Sequence, residues 1–156
     1  MIATTTPVAP RRRWWAPRPQ HDRPVDVLAV LQHARAIVED GWVQNRWTAG
    51  GGTSIGSDRA CVVGAVALAV RARDARADLA VGTGPALAFV WDAVFGPNAS
   101  FGRAAGRSAP HHVRVQRMRE LARWNDERGR TRDDVVSALD RAAAAVVARV
   151  VEPAGA

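Results

Sequence analysis

No lysine occurs among the 156 residues of this chain; all 22 of its basic side chains are arginine. The glycine run Gly51 to Ser57 therefore lacks the lysine that a Walker-type phosphate loop places before its hydroxyl. Cysteine is scarce too. Cys61 stands alone, which excludes an intrachain disulfide framework and a four-thiolate zinc site. Long apolar runs are also missing. The most extended, Cys61 to Val70, falls well short of the ~20 residues needed to span a bilayer and reads as a buried core helix. Arginines 11 to 13 are followed by no apolar stretch of signal-peptide length, so an export leader is not expected and the chain reads as cytoplasmic.

What is present is unevenly spread. Residues 1–24 hold five of the nine prolines and five arginines (Arg11, Arg12, Arg13, Arg18, Arg23) against the single acid Asp22. The remaining 132 residues carry 17 arginines against 14 acids, so the high positive charge belongs mainly to the first segment. No helical or strand period survives that density of proline. The expected organisation is a disordered Arg/Pro/Trp tail over 1–24, one helical domain over 25–151 and a disordered end over 152–156.

Within the domain the apolar period is helical. Val27, Leu31, Ala34 and Val38 form one stripe of a helix over about 25–40, with Pro24 suited to its start and Gly41 to a left-handed C-terminal residue. Residues 42–48 alternate loosely and could form a short extended segment, followed by a glycine-rich loop over 50–57. Ser57 or Asp58 would cap a helix over about 59–72, and Pro85 opens a segment that ends at Gly96. A fifth segment over about 111–126 lines up Val115, Met118, Leu121 and Ala122. The last helix, about 132–151, has Thr131 as cap, Asp133 and Asp134 in its first turn, and a stripe of Val135, Leu139, Ala142, Val146 and Val150. The predicted fold class is all-α, a single-domain bundle of about four to five helices.

Three short motifs add to this reading: Gly41-Trp42, Cys61-Val62-Val63-Gly64-Ala65, and Trp124-Asn125-Asp126 followed by Thr131 and Val135. Together, over roughly residues 26–148, they resemble a family of small actinobacterial proteins known only as a domain of unknown function. The resemblance implies a shared fold and supplies no activity.

The residues able to carry chemistry are few. Cys61 lies near a helix N-terminus, where the dipole favours a thiolate, yet a free cysteine between apolar neighbours is more often a small buried hydrophobe. Of the four histidines, His33, His111 and His112 fall in predicted helices and are the candidate bases for such a nucleophile. Carrying the helical period forward from Met118 and Leu121 puts Asn125 on the buried side. Trp42, Cys61, Trp124, Asn125 and Asp126 are thus a candidate polar pocket or a structural lock of the 127–131 turn, and the second reading is the more economical. Asp126 and Glu127 at a helix C-terminus call for a compensating arginine or amide.

Neither glycine run completes a dinucleotide fingerprint; flexible linkage accounts better for Gly51 to Ser57 and for Gly82-Thr83-Gly84. Adjacent His111 and His112 would face different ways on a helix, and no metal site or cofactor is predicted. Arg11, Arg12, Arg13, Trp14 and Trp15 could pair with phosphates and stack on bases, or lie on anionic lipid headgroups. Arginines 114, 117, 119 and 123 would spread around their helix rather than form a stripe. The leading expectation is a non-enzymatic module that binds a protein or small ligand. The alternatives are weak, sequence-indifferent nucleic-acid binding through the tail, and an enzyme using Cys61 or Asp126.

Overall fold

The structure, a computed structural model, describes residues 24–49, 59–97 and 109–151. The tail residues Arg11 to Trp15, the loop residues 50–58 and 98–108, and the end 152–156 lie outside the described residues. The order of elements is α1 (Pro24–Asp40), β1 (Thr48–Ala49), β2 (Arg59–Ala60), α2 (Val62–Arg73), α3 (Leu79–Gly82), α4 (Gly84–Phe95), α5 (His111–Asn125) and α6 (Arg132–Val151). This is the all-α architecture that the apolar periods predict. Among the described residues no helix is long and apolar enough to cross a membrane.

The first and last helices form the principal packing pair. Val27, Leu31, Ala34 and Val38 of α1 are buried, as are Val135, Leu139, Ala142 and Val146 of α6. Both sets recur at three- and four-residue intervals, which brings one stripe per helix to the shared core. Arg35 donates to Asp140 at the middle of the pair, and Arg132 at the start of α6 reaches the carbonyl of Glu39 at the end of α1, so the two helices run antiparallel. Val150, expected on the α6 stripe, is exposed together with Val147 and Val151, because the last turn of this 20-residue helix runs past the core.

The start of α6 is closed by reciprocal bonds. The Thr131 N–H and hydroxyl both donate to Asp134 Oδ2 at 2.9 Å, and the Asp134 N–H returns a bond to Thr131 Oγ1. An aspartate here fills the role that glutamate takes in a capping box. The Thr131 N–H, then its hydroxyl, hold the Asp134 carboxyl below the usual carboxylate range.

Several local expectations are corrected. The second helix starts at Val62, with neither Ser57 nor Asp58 as cap: Arg59–Ala60 is a strand paired antiparallel with Thr48–Ala49, and Cys61 is the cap. The extended segment expected over 42–48 narrows to β1 and an isolated bridge between Trp42 and Ala60. Gly41 has no left-handed backbone; the Ala60 N–H bonds to its carbonyl, and a Cβ there would meet Arg59 Cγ at 2.6 Å. Gly82-Thr83-Gly84 is an ordered joint between α3, which the sequence did not reveal, and α4. Thr83 ends one helix and starts the next, and its hydroxyl donates back to the Leu79 carbonyl at 2.6 Å.

The buried face of α5 is also rotated from expectation. Val113, Arg117, Leu121, Trp124 and Asn125 are buried, whereas Val115, Met118 and Ala122 are only partly covered. Arg117, grouped by sequence with the helix's other arginines, is 3% exposed.

Candidate functional site

The motif residues converge at the C-terminus of α5, the start of α2 and the segment 41–49. Asn125 is fully buried, and its amide makes four hydrogen bonds. Its Oδ1 accepts from Trp42 Nε1 at 2.9 Å and from the Val62 N–H at 3.2 Å. Its Nδ2 donates to the Val43 carbonyl at 3.1 Å and to Asp126 Oδ1 at 2.9 Å. Two acceptor positions and two donor hydrogens are all an amide has, so its capacity is spent. The Val62 bond also satisfies one of the N–H groups that the first turn of α2 leaves without an intrahelical partner.

Two residues absent from the sequence expectation complete this junction. Gln44 Nε2 donates to the carbonyls of Asn125 and Glu127, at 3.0 and 3.1 Å. The Asn45 N–H donates to Asp126 Oδ1 at 2.8 Å, with Asn45 at φ 59, a left-handed conformation that asparagine tolerates. Neither residue has a sequence signal of its own, since each acts across more than 80 positions of chain.

The compensation sought for the acidic C-terminus of α5 has two parts. The Asn45 and Asn125 donors meet Asp126. Arg130 pairs with Glu127, donates from Nε to the Trp124 carbonyl at 3.1 Å and lies 4.3 Å from the Trp124 ring centre. A cation beside the last carbonyls of a helix offsets its partial negative charge.

Cys61 is 3% exposed, and its Sγ accepts from the Gly64 N–H at 3.4 Å. The spacing of the Cys-x-x-Gly motif follows from this cap together with a close approach. The Cys61 N–H donates to the Trp47 carbonyl at 3.1 Å, and a Cβ on Gly64 would stand 2.0 Å from that same oxygen. Only glycine lets the ribbon lie so near the helix start. Burial pushes the Cys61 thiol up; backbone N–H groups oppose this, and the nearby Asp126 charge adds to it. The helix dipole that would favour a thiolate is outweighed by desolvation.

His33, His111 and His112 are exposed. Among the described residues no three His, Cys, Asp or Glu side chains group as a metal site would.

A second polar feature lies elsewhere. A cleft of about 30 Å³ separates the α3–α4 joint from α5, with Thr83, Gly84 and Leu87 on one side and Arg114, Arg117 and Met118 on the other. Arg114 is anchored by bonds from Nε to the Ala80 carbonyl and from Nη1 to the Ala109 carbonyl. Arg117 is not anchored in this way: its Nε is buried with no hydrogen-bond partner among the described residues. Sequence reasoning missed Arg117 because arginine is by default a surface residue, and no local pattern distinguishes it from Arg114 or Arg119.

Fold and junction together define a small all-α domain whose first helix, last helix and α5–α2 junction are joined through side chains distant in sequence. The chain belongs to a family of unknown function (DUF6197), whose model matches residues 22–145. No curated protein and no solved structure matches the chain.

Proposed function

We propose that this domain is a non-enzymatic interaction module that binds a protein or small ligand. The observation that carries this reading is the commitment of the motif residues to one another. Asn125 has no spare donor or acceptor, Asp126 accepts from Asn45 and Asn125, and the Cys61 thiol caps α2 with its ionisation opposed by burial. Groups held this way are poor nucleophiles and bases, because reaction would require breaking the bonds that position α2 against α5.

A complementation series tests the reading. Cys61→Ser and Asp126→Asn retain side-chain size and the ability to accept the same bonds. Each variant, once shown to be as stable as the parent, is expected to restore the phenotype that deletion of the gene produces. A stable variant that fails to complement assigns chemistry to that residue and favours an enzyme.

The charge of the first 24 residues favours a second reading, nucleic-acid binding through Arg11, Arg12 and Arg13 with Trp14 and Trp15 as stacking surfaces. Single-stranded DNA and RNA titrated against the full chain should then show steep salt dependence. Replacing the three arginines with alanine should lower the slope of log K against log salt by about 2, at ~0.7 per phosphate contact. Absence of binding at low salt removes this reading.

A further inference from the structure

The α3–α4/α5 cleft is lined by two facing helical stripes. One consists of Ala80, Thr83, Gly84 and Leu87; the other includes Arg114, Val115 and Met118. Three observations give it a chemical character. The Arg117 side chain is a wall of the cleft, nine-tenths buried, with an Nε–H that no acceptor among the described residues meets. The Asp92 carboxylate feels the Arg117 charge ahead of that of Arg149, 3.9 Å away, yet no acceptor among the described residues bonds to Arg117 Nε. The flat face of Trp91, 5.6 Å from the guanidinium, supplies the remaining compensation.

The helix starts point the same way. Both α4 and α5 begin at the cleft, at Gly84 and His111, and neither has a side-chain cap. Thr83, the natural candidate to cap α4, turns its hydroxyl back to the Leu79 carbonyl. Two uncapped helix N-termini present partial positive charge beside the buried guanidinium. A buried guanidinium N–H without an acceptor is costly unless a ligand oxygen completes it.

We propose that this cleft binds the carboxylate of a small organic acid, with Arg117 as its cationic partner and Leu87, Val115 and Met118 as the apolar wall for its body. About 30 Å³ is room for two water-sized groups at ~10–15 Å³ each, enough for the carboxylate end of such a ligand with its body toward the open side of the cleft. The planar guanidinium matches a planar carboxylate, and the apolar wall favours an organic body over bare phosphate. Gly84 has a part in this geometry, since a Cβ there would press on Arg114 Cδ at 3.0 Å. The proposal rests on the interaction-module reading and names the class of ligand.

The test is a titration of the ¹⁵N-labelled full chain with sodium benzoate at constant ionic strength, followed through arginine Nε–Hε and backbone amide resonances. Saturable shifts are expected at Arg117 Nε–Hε and at the Thr83 and Gly84 amides, with a Kd on the order of 1 mM for a ligand of so few atoms. Arg117→Met should weaken binding about tenfold or more, the size of a lost charge-assisted hydrogen bond. Ala80→Phe provides a second variant: Ala80 is an exposed residue of the cleft wall, where a phenyl group blocks access without touching the core. Inorganic phosphate, titrated in parallel, should give no saturable shift at these positions. Absence of saturation by benzoate, equal affinity in Ala80→Phe, or preference for phosphate would each overturn the proposal. Such a failure remains distinct from failure of the module reading, which depends on complementation by the Cys61 and Asp126 variants.

Discussion

The Asn125 junction and the Arg117 cleft are opposite solutions to the burial of a polar side chain. At the junction every donor and acceptor of the Asn125 amide is matched by the protein itself. At the cleft a guanidinium is buried almost as deeply, yet its Nε has no partner among the described residues. Burying a polar group costs little when its bonds are remade and several kcal/mol when they are not. The contrast is what the proposed ligand site rests on: one group is satisfied by the fold and the other has an Nε–H to spare. The motif residues around Asn125 bond to one another, whereas the buried Nε–H without a partner among the described residues belongs to an arginine that no motif marks.

Substitution at each region should break or sharpen this comparison. Asn125→Ala is expected to have the largest effect. It strands Trp42 Nε1, the Val62 N–H and the Val43 carbonyl together, and should lower unfolding free energy by about 3–5 kcal/mol in chemical denaturation. Loss of under 1 kcal/mol would mean that the junction does not hold α2 to α5.

Gly64→Ala follows at about 3 kcal/mol, since its methyl would overlap the Trp47 carbonyl and force the ribbon off the start of α2. The same denaturation series checks it. Arg117→Met should move the other way. Replacing an incompletely paired buried charge with an apolar side chain of similar length should raise stability of the unliganded protein by about 1 kcal/mol. Destabilisation comparable to that of Asn125→Ala would show Arg117 to be structural.

An effect of similar size, opposite in sign, is expected in a region away from both. Thr131→Ala removes the α6 cap and should cost about 1 kcal/mol. The Asp134 carboxyl is depressed in the folded state, so its contribution is complete above the unfolded value of about 3.9 and is lost as pH falls through the lower folded value. Asp134→Asn should therefore differ from the parent at neutral pH and converge with it in acid, as measured by thermal unfolding across pH.

The long helices were legible because their information is local. The spacing of Val27, Leu31, Ala34 and Val38, or of Val135, Leu139, Ala142 and Val146, fixes a face whatever that face later meets. Pro85 and Gly96 likewise punctuate α4 through backbone restrictions of their own, with Gly96 at φ 87. The start of α2 was misplaced because Arg59–Ala60 is held by pairing with Thr48–Ala49. A two-residue strand carries no period to detect. The α5 face was misjudged for another reason: its buried side includes an arginine, which hydrophobic pattern alone assigns to solvent.

By itself, then, the sequence determined an all-α domain, the span and inner face of its first and last helices, and the absence of disulfide scaffolding. Each of these follows from residue type and short-range spacing. Only the tertiary structure decided that Trp42, Val43 and Val62 share one amide from Asn125, that Cys61 is a helix cap, and that Arg117 lines a cleft with its Nε unpaired among the described residues. The physical reason is that hydrogen-bond satisfaction and desolvation belong to pairs of groups. Whether a polar side chain is at rest or available depends on what the fold brings beside it.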